Sequence, residues 1–331
     1  MDPFEKVELG KSQVRVTRMG LGGGTLGGLY QDPGEAGSIA TVHRALSLGI
    51  NFFDTAPLYG YGKSEFRLGT ALARVPRDEF VLATKVGRIL EPEDPAHLLT
   101  RTSEFENAPH LRPVFDFSES GVRRSFEESL RRLQLTRVNV VHIHDPDEYY
   151  KQVVQETYPA VRKMRDQGTI QAIGAGMNQT EMLVSFAKEC DFDCFLLAGR
   201  YTLLDQRALK ELLPICIRRQ ISIILGGPFN SGILATGAGP AAKYDYQDAP
   251  REIQEKVAQI EAVCDRYQVP LKAAALQFPL AHPAVAAVIP GCRSQREVEE
   301  NAKMLSFKTP SAFWQELRQS GVIPEEAPTP S

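Results

Sequence analysis

Short, nearly uninterrupted apolar runs alternate with amphipathic segments from one end of this chain to the other. That alternation admits few folds. VRVTRMGLGG, NFFDTA, FVLATKVG, VNVVHIHD, IQAIGAG, FDCFLLAGRY, ISIILGG and AVAAVIPG read as strands, each followed by a helix-like run. Strands this continuous in Val, Ile, Leu, Phe and Ala are the pattern of parallel strands buried on both faces. The intervening segments carry helical stripes: in VRRSFEESLRRLQL, Val122, Phe126, Leu130 and Leu133 fall on one face. About eight such units predict a (β/α)8 TIM barrel, with an open doubly wound sheet as the alternative. The 331 residues fit one such barrel, since these folds run from ~200 to more than 400 residues. KVELGKSQVRV reads as an N-terminal hairpin plugging the barrel bottom. Nothing in 1–331 resembles a linker, so one domain is expected, and 322–331, ending in IPEEAPTPS, reads as a flexible tail.

Composition narrows the function. The net charge of −3, without a basic tract, disfavours nucleic acid as a partner. The N-terminus has no apolar signal-like core, and no apolar stretch is long enough to span a membrane. Five cysteines, an odd number without a CxxC pair, suit free thiols in a reducing compartment, which points to the cytoplasm. The partner expected is a small molecule.

Two connections are long, about 88–118 and 229–250. Both follow strands and so belong on the C-terminal face, where barrel active sites lie. Phe105, His110, Phe115 and Phe117 in the first would cover a small ligand; the second has the same reach.

Four polar residues stand at or just beyond successive strand ends. Asp54 closes NFFDTA, Tyr59 follows five residues later, Lys85 lies near the end of VLATKVG, and His144 ends VVHIH. Neighbouring strands are ~4.8 Å apart, so these side chains would meet. The chemistry is coherent. A tyrosine of ordinary pKa ~10 is a poor base at neutral pH, and a nearby ammonium would lower it. Asp54 would offset the buried charge of Lys85, and His144 would hydrogen-bond the substrate oxygen or the tyrosine oxygen. Tyr59 would then carry a proton to or from the substrate oxygen. His142, two residues before His144 on the same face, raises a metal pair, but no third ligand accompanies it, and no metal is expected. Each residue taken singly has a bland reading as a cap, a turn aromatic or a core histidine.

GINFFDTAPLYGYGKSEFRLGTAL, FVLATKVG, HIHDPD and IPGCRSQREVEEN closely resemble, in order, the signature segments of the aldo-keto reductases. The resemblance implies a (β/α)8 barrel, a nicotinamide cofactor, and a catalytic tetrad of Asp54, Tyr59, Lys85 and His144. PLYGYGKSE, HDPD, AIGAGMNQ and LGGPFNSGIL look like the aldose dehydrogenase branch and the similar pyridoxal 4-dehydrogenases. That implies NAD(P)-dependent oxidation of an aldose such as L-fucose, D-arabinose or L-galactose, or of a similar cyclic hemiacetal, to the lactone. An NADPH-dependent carbonyl reductase and a non-catalytic cofactor-binding subunit are the rivals, and a Schiff-base aldolase using Lys85 a further one.

The resemblance also places the cofactor. Gly24 and Thr25 of MGLGGGTLGG would approach the nicotinamide ribose, and Asn178 would bind the carboxamide. The family's usual glutamine falls on Ala198, and its stacking aromatic on Gly226. Phe229, Ser231 and Gly232 would line the pyrophosphate, and Asn301 the adenine. Relatives using NADP tend to carry Lys and Arg where Gly291 and Glu297 stand here, which favours NAD; Arg293 and Arg296 keep NADP possible.

Overall fold

The computed structural model describes residues 1–94 and 103–330. Eight parallel strands form one sheet: Leu21–Gly22, Phe52–Asp54, Val81–Val86, Val140–His144, Ala172–Met177, Cys194–Ala198, Ser222–Gly226 and Val285–Ile289. They pair in chain order, and parallel bridges from Met19 to Val288 and from Gly22 to Gly291 bring the last strand against the first. The expected (β/α)8 barrel is therefore the fold.

The first barrel strand is only two residues long. Most of the run read as that strand belongs elsewhere: Arg15–Thr17 pairs antiparallel with Lys6–Glu8. This is the expected hairpin. Leu9, Val14 and Val16 from it join Phe52, Ala83, Val140, Ala172 and Cys194 in one cluster that closes the barrel bottom. A second, larger cluster fills the space between strands and helices. Two of the helices begin at a serine cap. Ser118 Oγ accepts from Gly121 N ahead of Glu119–Leu133, and Ser294 Oγ accepts from Glu297 N ahead of Gln295–Leu305.

Residues 322–330, read as a flexible tail, pack instead. Val322, Ile323 and Ala327 are buried, and Arg318 Nη2 donates to Ala327 O at 2.8 Å and Thr329 Oγ1 at 2.9 Å. Their few apolar residues dock where a charged helix end can satisfy the backbone, which composition does not reveal.

Both long connections carry structure. The first opens and closes with an antiparallel pair, Arg88–Pro92 with Leu111–Phe115; residues 95–102 lie outside the described residues. The second contains the turn Asn230–Gly232, the helix Ile233–Thr236 and the hairpin Lys243–Tyr244 with Gln247–Asp248. Among the described residues, no helix is long and apolar enough to cross a membrane.

Candidate active site

Two kinds of residue stand out among the positions that line the opening at the C-terminal ends of the strands. Gly22, Gly176, Ala198 and Gly226 present almost no side chain, and Asp54, Lys85 and His144 present polar ones. The small residues leave an opening of about 660 Å³, and the polar ones line it together with Tyr59. The volume lies within the ~300–1,000 Å³ of small-molecule sites.

Lys85 is the centre of the polar group. Its ammonium donates to Asp54 Oδ2 at 2.6 Å and to the Thr55 carbonyl at 2.8 Å, and lies 4.6 Å from the centre of the Tyr59 ring. Lys85 and Asp54 are each 1% exposed, so this is a buried ion pair. Burial raises the Asp54 carboxyl, and the adjoining ammonium opposes that rise. The His144 ring stands edge-on to Tyr59, centroids 6.0 Å apart. Burial, then the charges of Lys85 and Arg88, hold His144 well below its ordinary value, so it is neutral at pH 7.

Lys85 lies against the face of the Tyr59 ring. Burial first, then the carboxylates of Asp54 and Asp145, push the phenol well up, and Arg88 only partly offsets them. Without other charges in the site, Tyr59 is a protonated phenol at neutral pH.

The loop holding Tyr59 is fixed by close backbone approach. Gly60 has φ +61°, and a Cβ there would sit 2.2 Å from the Gly27 carbonyl oxygen, so the loop rests directly on the glycine-rich turn. That turn is tied to the end of the neighbouring last strand by Thr25 Oγ1, which donates to the Cys292 carbonyl at 2.9 Å. On the other side, Phe105 packs on Tyr59 and Tyr61, with centroids 6.3 and 6.0 Å apart. Lys63 anchors its loop by donating to Asp32 and to the Glu106 and Asn107 carbonyls. Arg67 donates to the other Asp32 oxygen, and these two cations hold the Asp32 carboxyl far below the usual range against the opposing effect of burial.

The eleven residues assigned to cofactor by sequence all line the same opening: Gly24, Thr25, Asn178, Gly226, Phe229, Ser231, Gly232, Gly291, Arg293, Glu297 and Asn301. Arg296 is exposed and lies outside the lining. Glu297 is already engaged: it accepts from Arg293 N at 2.8 Å and pairs with the Arg293 guanidinium at 3.3 Å. Of the four aromatic residues expected to cover a ligand, Phe105 lines the opening. Phe117 is buried in the core, Phe115 stacks on it, and neither they nor the exposed His110 line the cavity.

Sequence reading missed three participants. Asp145 lines the opening and pairs with Arg88 at 2.9 Å. Arg200 binds the Asn178 carbonyl at 2.7 Å and Asp245 at 2.8 Å, tying the Asn178 strand end to the second long loop. Tyr246, at the tip of that loop, lines the opening and packs on Tyr30 at 6.3 Å. The HDPD motif named Asp145, but its partner comes from a different strand. Beneath the site, buried His142 has no hydrogen-bond partner for either ring nitrogen among the described residues. A Cβ on Gly174 would lie 2.1 Å from its Nδ1, so this glycine makes room for the ring.

A model described as the aldo/keto reductase family matches residues 18–321. A pyridoxal 4-dehydrogenase from Microbacterium luteolum is 38% identical, covering 96% of this chain and 98% of its own. A D-threo-aldose 1-dehydrogenase from a Pseudomonas species is 37% identical over 94% and 96%. An L-galactose dehydrogenase from Arabidopsis thaliana is 32% identical over 91% and 88%. Among solved structures, an aldo-keto reductase from Bacillus halodurans superposes with a TM-score of 0.76, at 24% identity and 96% coverage of both chains, which supports the fold.

Proposed function

Because this chain belongs to the aldo/keto reductase family, and is thereby an NAD(P)-dependent oxidoreductase acting on CH–OH, we propose that it oxidises an aldose or similar cyclic hemiacetal to the lactone, with NAD as the favoured cofactor. L-Fucose, D-arabinose and L-galactose are the substrates to try first, with pyridoxal beside them. The observation that carries the reading is convergence: Asp54, Tyr59, Lys85 and His144 open onto the cavity that also takes in all eleven positions assigned to cofactor. The names of the relatives, pyridoxal 4-dehydrogenase and D-threo-aldose 1-dehydrogenase, support the hemiacetal class.

The cavity suits a dinucleotide. It runs from the tetrad to Arg293 and Asn301, and Gly226, Gly227 and Gly232 let an extended ligand approach the backbone. Gly24, Thr25 and Asn178, which line the opening beside the tetrad, would hold the nicotinamide end of the cofactor, which would supply the acceptor for the hydride of the hemiacetal carbon. Tyr59, in its ionised form, takes the hydroxyl proton from the same centre. His144, neutral, hydrogen-bonds the reacting oxygen. Lys85, fixed by Asp54 and Thr55, supplies positive charge beside the Tyr59 ring. The Arg293–Glu297 pair supports NAD: a carboxylate in that position repels a 2′-phosphate, and its arginine is already occupied.

The protonated Tyr59 supports a second reading, carbonyl reduction, in which the phenol donates to the new alkoxide. Initial rates at 340 nm separate the two. NAD reduction with one sugar or pyridoxal, well above NADP, is the expected result. Silence across that panel, with NADPH-dependent reduction of simple aldehydes, would establish the reductase instead.

A further inference from the structure

The tetrad accounts for one oxygen of a substrate, and the cavity holds a further charged group beside it. Asp145 follows His144 directly, with φ +43°, a left-handed conformation that a non-glycine residue adopts at a cost. Its own N–H, donating to Gly176 O at 3.0 Å, holds the backbone there. The effect is to turn the carboxylate into the opening. Oδ2 lies 2.9 Å from Arg88 Nη2 and 3.4 Å from His144 Nε2. The side chain is 31% exposed, and among the described residues no other hydrogen bond reaches it. Arg88 is itself held, its guanidinium 4.3 Å from the centre of the Phe115 ring.

We propose that Asp145, oriented by Arg88, is a specificity-determining residue that accepts a hydrogen bond from a hydroxyl on the carbon next to the reacting one. The inference rests on the tetrad being the reacting centre. His144 Nε2 holds the reacting oxygen, so a group that also reaches Asp145, 3.4 Å away, is one carbon removed. Neighbouring hydroxyls of a polyol are ~3 Å apart, the span of a hydrogen bond. A carboxylate accepts and never donates. The position therefore selects a hydroxyl donor, gains nothing from an alkyl chain, and repels a substrate carboxylate.

The test uses reduction of three small aldehydes with NADH: glyceraldehyde, with a neighbouring hydroxyl; propanal, without one; and glyoxylate, with a carboxylate. Each ratio is taken within one variant, so loss of folded enzyme cancels. The kcat/KM ratio of glyceraldehyde to propanal is expected to fall at least tenfold in Asp145→Ala. In Asp145→Asn, which keeps an acceptor oxygen, it should fall less, and in both mainly through the KM for glyceraldehyde. Glyoxylate should gain at least tenfold on propanal in Asp145→Ala, where Arg88 is left unpaired. Ratios within twofold of the parent in both variants would overturn the proposal. If the ratios shift but the parent oxidises no sugar, the aldose reading fails and the role of Asp145 stands.

Discussion

The Lys85 ammonium lies 2.6 Å from the Asp54 carboxylate, and both are buried beneath the Tyr59 ring. Removing one partner of such a pair leaves an uncompensated buried charge, which costs about 3–5 kcal/mol. Lys85→Met is therefore expected to lower stability by about 3 kcal/mol and kcat by at least ~100-fold. Adding Asp54→Asn should recover much of the stability and none of the rate. Urea denaturation beside steady-state kinetics checks both. Recovery of turnover in the double variant would mean that the pair is only structural.

Tyr59→Phe removes the transferable proton and keeps the ring. Turnover should fall by ~10²–10⁴-fold, the worth of general acid–base catalysis. Cofactor affinity, read from quenching of protein fluorescence, should change less than twofold. The raised phenol also fixes a sign. Oxidation needs Tyr59 as a base, so its kcat/KM should climb with pH and still be climbing at pH 9. Reduction needs the acid and should hold steady over the same range.

Glu297 accepts from Arg293 N and pairs with its guanidinium. In Glu297→Ala the arginine is released and the negative charge is gone. The kcat/KM ratio of NADP to NAD should rise about tenfold, equivalent to ~1.4 kcal/mol. An unchanged ratio would place cofactor discrimination elsewhere in the cavity.

Asp32 joins three segments: its own loop, the helix that follows Tyr59, and the loop carrying Phe105. Its ion pairs are mostly buried. Asp32→Ala leaves Lys63 and Arg67 without their carboxylate, and a loss of about 3 kcal/mol is expected. Because Phe105 packs on Tyr59, substrate KM should rise while kcat changes little. Equal losses in both would point to displacement of Tyr59 itself.

The barrel and the four polar strand-end residues were legible because both depend on local pattern. Buried parallel strands must be apolar, and a polar residue ending such a strand has few places to face. The bottom hairpin was legible for the same reason. The electrostatics of Tyr59 were not. Lys85 was visible in the sequence, but its position over the ring face, and the carboxylate of Asp145 nearby, depend on how several strands and loops meet. The Arg88–Asp145 pair spans 57 positions and joins two strand ends through a loop residue whose φ is positive. Only the closed barrel reveals it. The C-terminal segment misled for a related reason: PEEAPTPS looks unstructured, yet Arg318 donates to Ala327 and Thr329, and Ala327 is buried.

His282 gives the cleanest dependence of stability on pH. It is buried, and its Nδ1 accepts from Ala284 N at 3.2 Å, a bond that requires an unprotonated nitrogen. Burial lowers it from the ordinary 6.5 to about 4. The unfolded chain takes up a proton near pH 6.5, whereas the folded protein resists until about 4. Stability is thus complete above the unfolded value and falls through that window as pH drops, by up to about 1.4 kcal/mol per pH unit. His142 and His144 act in the same direction, and the raised carboxyls of Asp54 and Asp145 oppose them. Comparing the parent with His282→Asn cancels those contributions, since asparagine can still accept from Ala284 N and does not titrate. Urea unfolding at pH 7.5 and pH 5 should show a smaller drop in the variant. An identical drop would mean that His282 is already protonated in the folded protein, or that its environment is wetter than its burial implies.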